Sequence, residues 1–159
     1  MPVGPPGRVE IREFEPADEE AVVALWHRCG LVRPTNDPHQ DIARKQKVRP
    51  DLLLVGTIDG RLIASVMAGY EGHRGWINYL AVDPAERRRG LGRAMMEEAE
   101  RRLRSSGCPK INLQVRRTNV EVLAFYARIG YTPDDVVSLG KRLEPDATRA
   151  EPAPTARPP

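Results

Sequence analysis

The chain has 159 residues, 40% of them hydrophobic, and a formal charge of +3, which suits one compact core, since two cores of half that size would each be marginal. No stretch approaches the ~20 apolar residues of a membrane span and the Pro/Gly-rich start has no apolar leader, so a soluble cytoplasmic protein is expected. Cys29 and Cys108 lack the spacing of a zinc site or disulfide framework and read as reduced thiols, so no metal is expected.

In chain order, residues 1–8 read as a disordered tail, and Val9 to Phe14 alternate apolar with polar as a half-buried first strand. Asp18 stands where a helix cap is needed, and Val22, Leu25, Trp26 and Cys29 then recur at helical spacing up to Gly30. Asn36-Asp37-Pro38 opens a second, short helix with Ile42 and Val48 as core candidates. Leu52 to Ile58 and Arg61 to Tyr70 flank Asp59-Gly60, a hairpin dipeptide, so antiparallel pairing follows. Trp76 to Val82 is a further strand, and a helix runs from Leu91 to Arg104. Lys110 to Val115 is the next strand; Asn119 to Ile129 is a helix with Val120, Leu123, Ala124 and Ala127 on one face and Gly130 as its stop; Val136 to Leu143 closes as a strand. The tail from residue 144 to 159 is too rich in Pro, Ala and charge to fold. The whole predicts an α/β (α+β) domain over 9–143, its sheet mixed and mostly antiparallel with helices on both faces.

The most informative segment joins the strand ending at Val82 to the helix starting at Leu91: Asp83-Pro84-Ala85-Glu86-Arg87-Arg88-Arg89-Gly90-Leu91-Gly92. Glycines at 90 and 92 let consecutive N–H groups turn inward around an anion, the helix N-terminus adds partial positive charge, and arginines flank it. The spacing fits neither a Walker A loop nor the dinucleotide GxGxxG, which disfavours ATP and NAD.

Arg87-Arg88-Arg89-Gly90-Leu91-Gly92 resembles the central motif of the GNAT acetyltransferases, Arg or Gln, two residues, Gly, one residue, Gly or Ala. The likeness extends upstream through Tyr79-Leu80-Ala81-Val82-Asp83-Pro84 and downstream through Asn119, Tyr126, Gly130 and Tyr131, so it covers about Val9 to Leu143. Gly69 to Gly75, Gly107 to Lys110 and Ser138 to Leu143 are similar to the YpeA-type subgroup. The resemblance implies splayed fourth and fifth strands with acetyl-coenzyme A between them as cosubstrate. Leu80, Ala81 and Val82 would bond the pantetheine arm, Arg87, Arg88, Arg89, Gly90, Leu91, Gly92 and Arg93 would hold the pyrophosphate, and Asn119 and Tyr126 would line the thioester end. Val82 would supply an oxyanion amide and Tyr126 the proton for the leaving thiolate.

The general base is less defined. Ribosomal-protein N-terminal acetyltransferases resemble this chain at Val115, Arg116 and Asn119, but their fifth-strand glutamate is replaced by Gln114, and an amide cannot accept that proton. Glu71 and His73, in the loop before the fourth strand, are the alternative bases. The expected partners are acetyl-coenzyme A and an amine acceptor of unspecified identity, with the protein a monomer or homodimer. An acyl-coenzyme A-binding regulatory module without turnover is the rival reading. Nucleic acid is disfavoured, because Glu86, Glu97, Glu98 and Glu100 interrupt the arginines and no aromatics interleave with them.

Overall fold

The computed structural model describes residues 7–145. The tails read as disordered therefore fall, except for residues 7, 8, 144 and 145, outside the described residues. The elements are β1 (Glu10–Glu13), α1 (Glu19–Arg28), α2 (Pro38–Lys45), β2 (Leu53–Ile58), β3 (Arg61–Tyr70), β4 (Gly75–Val82), α3 (Leu91–Ser105), β5 (Ile111–Leu113) and α4 (Val120–Arg128). The five strands lie in sequence order in one sheet, antiparallel except for the parallel pair β4–β5.

Every residue of β2 is buried, because both of its faces are covered. Leu52 and Leu54 join Ile63, Val66, Met95, Met96 and Leu103 under α3 and α4, whereas Leu53 and Val55 join Val22, Leu25, Trp26 and Ile42 under α1 and α2. This is the period-2 alternation of a strand expressed as two cores. The β2–β3 hairpin turns on Asp59 and Gly60, both at positive φ (50° and 76°), as a two-residue primed turn requires. Among the described residues no helix is long and apolar enough to cross a membrane, and both cysteines are free thiols.

Several sequence expectations are corrected. Asp18 occupies the cap position of α1 but makes no cap bond to it; its carboxylate takes the Arg12 guanidinium at 2.7 and 2.9 Å and closes the preceding turn through Glu15 N–H. In α2 the expected cap is real, with Asp37 accepting from His39 and Gln40 N–H, but Val48 is 65% exposed and only Ile42 enters the core. On α4 the packed stripe is Val122, Phe125, Tyr126 and Ile129, not Val120 and Leu123, which remain exposed. Both stripes have helical spacing, and the one that packs carries the two rings.

Val136 to Leu143 forms no strand; Leu139 is 90% exposed. Side chains, not a backbone ladder, tether this region: Lys110 and Asn112 donate to Asp134, and Gln114 to Ser138. A strand pattern becomes a strand only where a neighbouring edge pairs with it, and β5 is itself three residues long.

Candidate active site

β4 pairs with β5 over only three positions, Gly75↔Ile111, Trp76↔Asn112 and Ile77↔Leu113. Two residues further on, β4 bulges: Met67 faces Asn78 and Ser65 faces Ala81, so Tyr79 and Leu80 together oppose Val66. An extra residue bends and over-twists its strand, and the pairing with β5 has already ended at Ile77. Tyr79 takes φ +50°, a left-handed conformation that normally goes to glycine. Its ring stacks on the buried Trp26 at 3.8 Å, and its carbonyl accepts from Ser65 Oγ, which in turn accepts from Trp26 Nε1. Its hydroxyl donates to Asp41 at 2.6 Å and accepts from Asn36 Nδ2 at 2.5 Å.

Past the bulge, Asp83 N–H donates to Ile63 C=O at 2.8 Å. Antiparallel ladders alternate, so the neighbouring pair Ala64↔Val82 is the non-bonded one and the polar groups of Val82 point away from β3. Val82 C=O takes the Cys29 thiol at 3.3 Å. Ala81 differs from Val82: it is buried against α1 and α2 in register with Ser65.

The segment after Val82 is built around two carboxylates. Asp83 accepts from Ala85 N–H at 3.0 Å and from Arg28 at 2.9 Å, starting a single 3-10 turn, Pro84–Glu86. Glu86 is buried, holds Arg61 at 2.5 Å and also pairs with Arg89, and these partners, Arg61 foremost, keep its acid below the usual carboxylate range. Arg89 thus shares the Glu86 carboxylate with Arg61, and Arg93 pairs with Glu97 on the surface. Arg88 (φ +65°) and Gly90 (φ +73°) both turn left-handed, and α3 then begins without a side-chain cap and without an acidic residue in its first turn. The opening N–H groups of α3, at Leu91, Gly92 and Arg93, have no acceptor within the helix and carry its positive dipole end. Main-chain donors of this kind can take an anion, and Arg87 and Arg88 precede them in the chain.

Gly92 serves packing as well. A Cβ there would meet the Phe125 ring at 3.2 Å, so the absence of a side chain is what lets α4 lie close to the start of α3. Next to Phe125, Tyr126 is 8% exposed and packs edge-on against Phe125 and Tyr131 at 5.1 and 5.5 Å. Burial pushes its phenol up to about 12, further into the range where it keeps its proton. Tyr126 lines an open groove between β5 and α4 together with Gln114 and Arg116. Asn119 sits at the head of α4 and caps it, accepting from Val122 N–H at 3.4 Å.

Glu71 and His73 lie in the β3–β4 hairpin, at the opposite end of β4 from Val82, a strand length of about 23 Å at ~3.3 Å per residue. The Glu71 carboxylate closes its own turn, accepting from His73 and Arg74 N–H at 2.5 Å each, and these bonds, that of Arg74 first, hold its acid below the ordinary range. A carboxylate so held is a poorer base, and it also has a local task in closing its turn. Sequence reasoning missed Glu86 as an organiser of the arginine run and Tyr79 as the bulge residue; the first had a signal, an acid among arginines, and the second had none.

The Acetyltransferase (GNAT) family matches residues 14–131. An acetyltransferase of Pectobacterium atrosepticum is 48% identical over 138 residues, 87% of this chain and 98% of that protein. One of Yersinia enterocolitica is 45% identical over 135 residues, 85% of this chain and 96% of the relative. Among solved structures, an aminoglycoside N-acetyltransferase in complex with coenzyme A superposes with a TM-score of 0.72 at 16% identity, covering 89% of this chain and 99% of that one, a likeness of fold. The chain belongs to the GNAT family of acetyltransferases.

Proposed function

We propose that this protein transfers the acetyl group of acetyl-coenzyme A to a primary amine, by direct attack in a ternary complex. The observation that carries the reading is the uncapped start of α3 behind two left-handed residues, Arg88 and Gly90, at the end of a strand that has parted from its neighbour. That arrangement suits a pyrophosphate on main-chain donors and an extended arm laid along β4, which it would prolong as an added strand.

In this reading Val82 N–H bonds the thioester oxygen and stabilises the negative charge that grows there when the amine attacks. Tyr126 gives its proton to the departing thiolate, a service worth roughly 10² to 10⁴ in rate. Arg87 and Arg88 neutralise the pyrophosphate, and Asn119 combines its capping bond with a place at the thioester end. With Glu71 held in its own turn and Gln114 an amide, the attacking amine loses its proton to water in the open groove. The coenzyme A complex of the aminoglycoside enzyme supports the choice of cosubstrate, and the acceptor class is left to a screen.

Calorimetric titration with acetyl-coenzyme A of the wild type, Arg87→Glu and Gly90→Trp tests the reading. Micromolar binding that both variants lose supports it, and a wild type that does not bind overturns it. Thiol release with a panel of amines then separates an enzyme from a binding module: binding without turnover on any amine favours the regulatory alternative.

A further inference from the structure

Tyr79 poses a question that the proposed chemistry does not answer. Its φ of +50° is a glycine conformation, strained for any residue with a Cβ and more so for an aromatic one. Glycine would supply the bulge without that strain, so the side chain must be held by contacts that repay it. Three elements and the loop before α2 contribute such contacts. Trp26 of α1 stacks on the ring at 3.8 Å with planes 10° apart. Ser65 of β3 joins Trp26 Nε1 to the Tyr79 carbonyl through bonds of 2.8 and 3.0 Å. Asp41 of α2 accepts the Tyr79 hydroxyl at 2.6 Å on one carboxylate oxygen while Arg44 binds the other at 3.0 Å, and Asn36 donates to the same hydroxyl.

We propose that Asp41 is a positioning residue: through the Tyr79 hydroxyl it clamps the left-handed bulge of β4 and so keeps the main chain from Leu80 to Val82 turned into the gap where the acyl donor lies. The inference rests on the proposed acetyl-coenzyme A site and names the part of the scaffold that shapes it. Asp41 does not touch the donor. It acts from α2 on a residue 38 positions away in the chain, holding with a charge-assisted bond a conformation that the backbone alone resists.

The test uses the full chain and three variants: Tyr79→Phe, which keeps the stacked ring and loses the hydroxyl; Asp41→Ala, which removes the acceptor; and Asp41→Asn, whose amide oxygen can still accept. Acetyl-coenzyme A affinity is read by calorimetry, and the amide resonances of Leu80, Ala81 and Val82 are read by ¹⁵N-correlated spectra of the free protein. Tyr79→Phe and Asp41→Ala are expected to weaken binding about tenfold, the loss that follows from one hydrogen bond to a charged group, and to shift those three resonances. Asp41→Asn is expected to stay within about threefold of wild type on the same scale; a generalised loss of stability would not be rescued in that way. If Asp41→Ala fails to fold, Tyr79→Phe decides. Binding within about twofold of wild type in the folded variants, with the three resonances unmoved, overturns the clamp. A wild type that does not bind acetyl-coenzyme A overturns the cosubstrate reading instead, and the resonances still report whether Asp41 holds the bulge.

Discussion

The two ends of β4 are built on opposite plans. At its start, Gly75 to Ile77 pair on both sides, with β3 and β5, and the hairpin before them is closed by a carboxylate that spends itself on two local N–H groups. At its end the strand bulges, loses β5, and leads through the Pro84–Glu86 turn to a helix that starts without a side-chain cap. The titratable side chains that look most reactive in the sequence, Glu71 and His73, belong to the closed end. At the open end Glu86 binds Arg61 and Arg89, α3 starts without a side-chain cap, and the proposed chemistry asks the backbone there, with the Tyr126 phenol, to do the work. In the proposed reading, availability of the main chain, more than the density of acids and bases, marks the site.

The contrast breaks first at Tyr126. Tyr126→Phe is expected to lower kcat by about 10²-fold or more while leaving acetyl-coenzyme A affinity nearly unchanged, as loss of a transition-state proton donor requires. Steady-state kinetics beside a binding titration checks it, and equal losses in both would reassign Tyr126 to packing. Because the acid form is the active one and its pKa lies at about 12, the wild-type rate should not fall on the alkaline side below about pH 11; a fall near neutral pH would point to another group. Next in size, Gly90→Val places a β-branched residue at φ +73°, a conformation that costs it about 1 to 3 kcal/mol. Acetyl-coenzyme A binding should weaken by about ten- to a hundredfold, and unchanged affinity on calorimetry would remove the α3 start from the site.

A smaller effect sharpens the comparison by separating stability from chemistry. Glu98, on α3, is held by Arg101 and then Arg102, which bring its acid down to about 2. A depressed carboxylate stabilises the fold above its unfolded pKa, and that contribution is lost as pH falls from about 4.5 towards 2. Glu98→Gln should therefore cost about 1 to 2 kcal/mol at neutral pH, with the difference from wild type closing in acid and affinity for acetyl-coenzyme A unmoved; urea melts at several pH values decide it. Smallest of all, Glu71→Gln and His73→Ala are each expected to keep kcat/KM within about threefold of wild type. A loss of 10²-fold or more in either would restore a base at the hairpin end.

What the sequence determined by itself is what depends on neighbours a few residues apart. The Asp59-Gly60 turn, the Asp37 cap ahead of Pro38, the stops at Gly30 and Gly130, and the left-handed Gly90 at the head of α3 are local backbone requirements, and the residue types announce them. The order of helices and strands up to α4 and the family motif were legible for the same reason. Tertiary structure decided which partner each side chain takes. Asp18 went to Arg12 in place of its helix, Glu86 collected Arg61 from 25 positions away, and the Tyr79 hydroxyl met Asp41 and Asn36 at separations of 38 and 43. It also chose between two amphipathic stripes on α4 and left Val136 to Leu143 unpaired, because periodicity states that a face can be buried and only an adjoining surface determines that it is.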